Sequence, residues 1–314
     1  MLRALSPPSG CLSRTTVRPT LLCRRFCTTM GDSSAQHSSS ESASERKKVK
    51  AGNNGKKEVR ILMLHGYTQS GALFRAKTRA LEKLLAKALA PVNMVPALVY
   101  PTGPSRLSPR DIPGYEPPED VSVDDVDEKT DSWAWFRKDE ASNTYRLLDQ
   151  GMNRLAEVMA ECNTASATAA ADDGGSKKGV IDGVIGFSQG GSMAAMLASA
   201  MEETRSAPES EQGWVTAVRK ANGDVPLKFA VIYSGFYAVP DNLAWLYEPK
   251  IRTPTLHFIG SLDTVVDEAR SQGLVDRCQD PVVIVHPGGH YVPVSKEWAM
   301  PLAGFIRKCV EGHS

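Results

Sequence analysis

Cysteine is scarce: six in 314 residues, at positions 11, 23, 27, 162, 278 and 309. No two are spaced as Cys-x-x-Cys, and a chain this long would need more for a disulfide scaffold. Incidental or buried thiols in a reducing compartment are the expected reading. A long apolar run is missing too. The longest falls short of the roughly 18 residues a membrane span needs, so no transmembrane helix and no stable membrane insertion are expected. Net charge of either sign is also lacking, with 37 Lys and Arg against 36 Asp and Glu. That balance removes any global attraction toward nucleic acid or anionic lipid. What remains is ordinary for a globular chain: 41% hydrophobic and 23% charged residues, enough for a sizeable core. The length fits one large domain with tails.

Charge is distributed unevenly at the start. Arg3, Arg14, Arg18, Arg24 and Arg25 stand among Ser and Thr, and no acidic residue occurs before Asp32. That composition makes residues 1–30 a candidate mitochondrial transit peptide, with cleavage near Arg24-Arg25-Phe26. Pro7, Pro8 and Pro19 interrupt the amphipathic helix such a peptide would form; with Met30 as the working start, the product would be cytoplasmic. A secretory signal does not fit, because no apolar stretch of adequate length follows the first charge. Residues 31–57, rich in Ser, Gly, Lys and Glu, bury too little apolar surface to offset their ordering entropy and read as a disordered linker.

From residue 58 to 312 the pattern changes. Val59 to His65 is a nearly continuous apolar run, as in a strand buried on both faces of a parallel sheet. A helical stretch follows from Leu73, with Leu81, Leu84, Leu85 and Leu89 at helical spacing, and then a second apolar run from Val95 to Tyr100. Further short apolar runs occupy residues 181–187, 227–233, 255–260 and 282–285. The fold class expected is α/β: a mainly parallel sheet with helices on both faces. Three stretches interrupt this rhythm and read as insertions: residues 103–131, with five prolines and a dense acidic run, and the polar or small-residue stretches 165–179 and 204–224.

Gly186-Phe187-Ser188-Gln189-Gly190 matches G-x-S-x-G directly after an apolar run and before a helix candidate. A nucleophile on a strained strand-to-helix turn needs neighbours without Cβ atoms, because the backbone doubles back within a few residues. The helix N-terminus behind Ser188 offers free N–H groups to a developing oxyanion. A dinucleotide loop is the weaker reading, since Ser188 stands where G-x-G-x-x-G requires its second glycine.

A serine hydroxyl needs a base, and the chain order Ser, Asp, His suits this fold. His290 lies in a glycine-rich loop after the last apolar run and is the candidate base. His286, at the end of that run, is its rival, while His65 and His257 belong to strands. Asp263, after the run ending at Gly260, is the candidate carboxylate, and Asp267 is its rival one turn on. For the oxyanion, the backbone N–H groups of Gln189 and Tyr67 are the candidate donors, with Thr68 as fallback. Trp133, Trp135 and Phe136 fit core packing or pocket lining.

The blocks Ile61 to Tyr67 with Gln69 and Ser70, Asp182 to Gly190, Tyr233 to Phe236, and the loops around Asp263 and His290 together resemble the fungal and animal family of serine hydrolases, over about residues 59–309. The resemblance implies an α/β-hydrolase fold and hydrolysis of carboxylic esters or thioesters with fairly hydrophobic acyl groups, without cofactor. It implies a small-molecule substrate and no nucleic acid. An acyl-protein thioesterase and a noncatalytic binding protein on the same fold are the alternatives. The N-terminal segment and the three insertions depart from the family pattern, and loops over the sheet shape an acyl pocket.

Overall fold

Side chains along the first strand, β1 (Lys57–Leu64), divide between two cores: Val59, Ile61 and Met63 pack into one, Leu62 and Leu64 into the other. Successive strand residues point to opposite faces, so β1 is covered on both sides. The computed structural model describes residues 55–112, 114, 131–171 and 180–312, with only the backbone of 165–171. The 1–30 segment and most of the 31–57 linker lie outside those residues.

Five more strands join β1: β2 (Met94–Val99), β7 (Gly183–Phe187), β8 (Phe229–Tyr233), β9 (Thr255–Gly260) and β10 (Val282–His286). Their order is β10-β9-β8-β7-β1-β2, and every neighbouring pair is parallel. All carboxyl ends therefore lie on one edge. The chain steps outward from β1 to β2, then returns to the other side of β1 with β7. Ligand crevices in such sheets form where the order reverses, here outside the ends of β1 and β7.

Helices cover both faces. Phe74, Leu81, Leu85 and Leu89 of α1 (Gly71–Leu89) share a core with Ala299, Leu302 and Ile306 of α6 (Lys296–Glu311). Their spacing of three and four residues puts one apolar stripe against the sheet. Ser70 caps α1, its hydroxyl accepting from the Leu73 amide at 3.2 Å. On the opposite face lie α2 (Leu148–Ala171), α3 (Gln189–Ala200), wholly buried, and α4 (Gln212–Ala221). Between β9 and β10 the chain also forms α5 (Glu268–Val275), whose Leu274 joins the core shared by α2 and α3.

The described parts of the three expected insertions include regular elements. Within 204–224 the structure holds α4, whose Trp214, Val215 and Val218 are buried and which packs on α2. Three apolar residues on one face suffice for docking, although the rest of the segment is polar. Helix α2 runs into the second stretch as far as Ala171, consistent with the high helix propensity of alanine; residues 172–179 lie outside the described ones. In 103–131, β3 (Ser105–Arg106) pairs antiparallel with β4 (Trp133–Ala134), while residues 113 and 115–130 lie outside the described ones. A hairpin of β5 (Arg137–Asp139) and β6 (Thr144–Arg146) follows β4.

Candidate active site

Ser188 occupies the turn between β7 and α3 at φ 54° and ψ −118°, a backbone conformation that costs a non-glycine residue energy and persists only when its surroundings enforce it. They do so here. The Ser188 amide donates to the Tyr233 carbonyl at 2.9 Å, and the Ser188 carbonyl accepts from the Gly191 and Ser192 amides. A Cβ on Gly186 would stand 2.0 Å from the Gly190 carbonyl oxygen, and one on Gly190 would stand 2.2 Å from that of Leu64. Both glycines of the motif are thus required by close backbone approach.

His290 reaches Ser188 from the loop after β10: its Nε2 lies 3.0 Å from Ser188 Oγ. The loop is fixed to the end of β9, because the Ser261 amide donates to the His286 carbonyl and the Leu262 amide to the Gly288 carbonyl. The Phe187 ring packs 4.7 Å from the imidazole. On the far side, His290 Nδ1 lies 2.7 Å from Asp263 Oδ2, and the amides of Val265 and Val266 donate to Asp263 Oδ1 at 2.9 Å. Burial opposes the ionised carboxyl, but the hydrogen bonds from His290, Val266 and Val265, with the neighbouring Ser234 hydroxyl, outweigh it and hold Asp263 below the usual carboxylate range. An ionised Asp263 accepts the Nδ1 proton, which leaves Nε2 free to accept from the serine.

The rivals are engaged elsewhere. His286 is buried against the rings of Tyr291 and Trp298; burial lowers its pKa, with the Asp263 charge opposing. Asp267 caps α5, accepting from the Arg270 amide. His65 holds the loop together: the Gly103 amide donates to its Nε2 at 2.9 Å and its Nδ1 donates to the Gly66 carbonyl at 2.8 Å. One neutral tautomer satisfies both bonds. Burial drops the His65 pKa to about 4, against smaller opposing effects of the Gly66 carbonyl and Asp131, and drops that of His257 to about 4 as well.

Gln189 does more than its backbone position indicated. Its amide is the first of α3 and has no acceptor within the helix. Its buried side chain clamps the segment opposite, with Oε1 accepting from the Trp135 amide and Nε2 donating to the Phe136 carbonyl, both at 2.8 Å. Trp135 in turn donates its Nε1 proton to the His65 carbonyl at 2.9 Å. Trp135 is therefore core, whereas Phe136 stacks on Tyr145 and faces a cleft. No sequence spacing signals this clamp, which joins residues 53 and 54 positions apart.

The cleft has a volume of about 920 Å³, and Ser188, Gln189 and Tyr67 line it together with Phe136, Tyr145 and Val239. Tyr67 is held there by its hydroxyl, which donates to the Asp111 carbonyl at 3.0 Å. Among the described residues no group of His, Cys, Asp and Glu is arranged to hold a metal ion, and no helix is long and apolar enough to cross a membrane.

Comparison with known proteins identifies the family. The family described as Serine hydrolase (FSH1) matches residues 54–302. The chain is 30% identical over 244 residues to Esterase OVCA2 of Xenopus tropicalis, covering 76% of this chain and 87% of that protein. It is 29% identical over 258 residues to Family of serine hydrolases 2 of Saccharomyces cerevisiae, covering 80% and 96%. Dihydrofolate reductase of Schizosaccharomyces pombe is 32% identical over 254 residues, 80% of this chain; the chain spans only 47% of that protein's length. Among solved structures, acyl-protein thioesterase 2 of Zea mays aligns with a TM-score of 0.48 at 20% identity, over 81% of this chain and 96% of that one. With its G-x-S-x-G elbow inside the matched region, the chain belongs to the FSH1 family of serine hydrolases.

Proposed function

We propose that this hydrolase cleaves carboxylic esters or thioesters with hydrophobic acyl chains through an acyl-enzyme on Ser188, with His290 as general base and Asp263 as the group that orients it. The observation that carries the reading is the hydrogen-bonded series Ser188 Oγ, His290 Nε2, Nδ1 and Asp263 Oδ2, at 3.0 and 2.7 Å, ending on the strained turn. His290 takes the hydroxyl proton as Ser188 Oγ adds to the substrate carbonyl. The carbonyl oxygen gains charge as the tetrahedral centre forms, and the Gln189 and Tyr67 amides donate to it. Protonated His290 then returns its proton to the departing alcohol or thiol. Water, deprotonated by the same imidazole, adds to the acyl carbonyl and releases the acid and Ser188.

The substrate class is supported by the walls of the cleft, where Phe136, Val239, Val265 and Val266 offer apolar surface beside Ser188, and by the esterase names of relatives. The test is hydrolysis of 4-nitrophenyl esters of increasing chain length by wild type and Ser188→Ala. Turnover that improves from acetate toward medium chains and vanishes in the variant supports the reading; equal turnover by both proteins overturns it. The arginine-rich, acid-free composition of residues 1–30 supports delivery to mitochondria.

A further inference from the structure

Beside its apolar walls, the cleft is lined by four cationic side chains, Arg137, Lys138, Arg146 and Arg270. Two are already engaged. Arg137 donates to Asp111 Oδ1 at 2.8 Å, to Ser105 Oγ at 3.0 Å and to the Arg106 carbonyl at 2.9 Å, and Lys138 pairs with Glu140 at 2.7 Å. The remaining acidic lining residue, Asp139, turns its Oδ1 to the Ala141 and Ser142 amides of the hairpin turn.

Arg146 and Arg270 have no carboxylate partner among the described residues. Arg146 stands directly opposite Arg137 across the β5–β6 pair; the Asp111 carboxylate already offsets the charge of Arg137, which leaves Arg146 as the member of the pair with charge to offer an incoming anion. Arg270 is already oriented: its Nη1 donates to the Val265 carbonyl at 2.9 Å, and the guanidinium lies 4.7 Å over the Phe236 ring. A guanidinium has five N–H donors, so most of those on Arg270 remain available. Both side chains are exposed to the solvent from which a substrate enters.

We propose that the ester or thioester cleaved here carries a separate anionic group, carboxylate or phosphate, bound by Arg146 and Arg270 while its carbonyl lies at Ser188. The inference rests on the hydrolase reading and narrows its substrate class. Such an anion can sit at the far end of the acyl chain, as in a monoester of a dicarboxylic acid, or on the leaving group, as in an acyl thioester of a phosphorylated thiol. Planar donor pairs suit both carboxylate and phosphate.

The experiment compares matched substrates on the full chain. One arm sets the mono-4-nitrophenyl ester of a dicarboxylic acid against the 4-nitrophenyl ester of the monocarboxylic acid of equal chain length. The other sets octanoyl-coenzyme A against octanoyl-N-acetylcysteamine. We expect kcat/KM to favour the charged member in at least one arm by about tenfold, a modest charge-assisted contact. The arm that responds identifies where the anion resides. In Arg146→Gln and Arg270→Gln the ratio should fall toward unity, mainly through KM, and Arg146→Lys should recover part of it. Raising salt from 0.05 to 0.5 M, chosen to shorten the screening length, should compress the ratio in wild type. Neutral esters turned over as well as charged ones in both arms, or a ratio indifferent to both arginine variants, would overturn the anion site while leaving the hydrolase reading intact. Absence of turnover with every substrate, together with an unreactive Ser188, would instead overturn the hydrolase reading and this inference with it.

Discussion

Replacing Asp263 by asparagine changes one atom of the site and should reverse the imidazole. Asp263 Oδ1 accepts from the Val265 and Val266 amides, and Oδ2 faces His290 Nδ1. An asparagine that keeps its oxygen on the two amides must present its NH₂ to Nδ1, which then has to accept. The ring proton moves to Nε2, and Nε2 can no longer take the proton of Ser188. The opposite flip sets the NH₂ against two amide donors and leaves both unpaired, at about 1–3 kcal/mol each, so the first arrangement prevails. In the Ser-His-Asp template this loss of tautomer lowers kcat about 10⁴-fold, or about 5.5 kcal/mol of activation free energy. Steady-state kinetics on a 4-nitrophenyl ester should show that fall in kcat with KM changed less than about threefold, since the side chain does not line the cleft. Thermal melts of Asp263→Asn should stay within about 5 °C of wild type. A folded variant retaining kcat within tenfold of wild type would refute the orienting role.

Other expectations follow from packing, titration and composition. Gly190→Ala places a Cβ against the Leu64 carbonyl oxygen and should destabilise by about 1–3 kcal/mol or more in urea titrations, with activity lost in the folded fraction. His65 and His257 are buried with pKa values near 4 against 6.5 in the unfolded chain. Between those values the unfolded state binds more protons, so stability is present above pH 6.5 and is lost as pH falls toward 4, by about 3 kcal/mol for each group. His257→Leu should flatten that decline in melts recorded from pH 7 to 4; an unchanged slope would count against the titration of a neutral buried ring. Residues 1–30 fused to a fluorescent protein should collect in mitochondria, whereas a diffuse signal would favour the cytoplasmic product.

The parts of the fold legible in the sequence are those with a strong local signal. Strands β7 and β8 are unbroken apolar runs and β1 and β9 nearly so, because the sheet buries them from both sides; in the G-x-S-x-G motif the contact of Gly186 with Gly190 is local, although Gly190 itself is required by the distant Leu64 carbonyl. Chain order and the position of their loops after consecutive strands made Asp263 and His290 the candidates, with Asp267 and His286 fitting the same order as rivals. The β5–β6 hairpin escaped notice because Arg-Lys-Asp and Thr-Tyr-Arg show no apolar alternation; their pairing is fixed by the turn and by the stacking of Phe136 on Tyr145. The Gln189 clamp is equally silent, since its partners come from a distant segment. Helix α4 was hidden among Ser and Glu because its large buried side chains are just Trp214, Val215 and Val218, with the small Ala217 and Ala221 packed beside them.

The most direct measurement is intact-mass and peptide analysis of the full chain after reaction with a fluorophosphonate, wild type beside Ser188→Ala. One phosphonyl group, located on Ser188 of wild type and absent from the variant, is the expected result. Well-folded wild type that takes up no label, or takes it up on another residue, would contradict an activated nucleophile at Ser188.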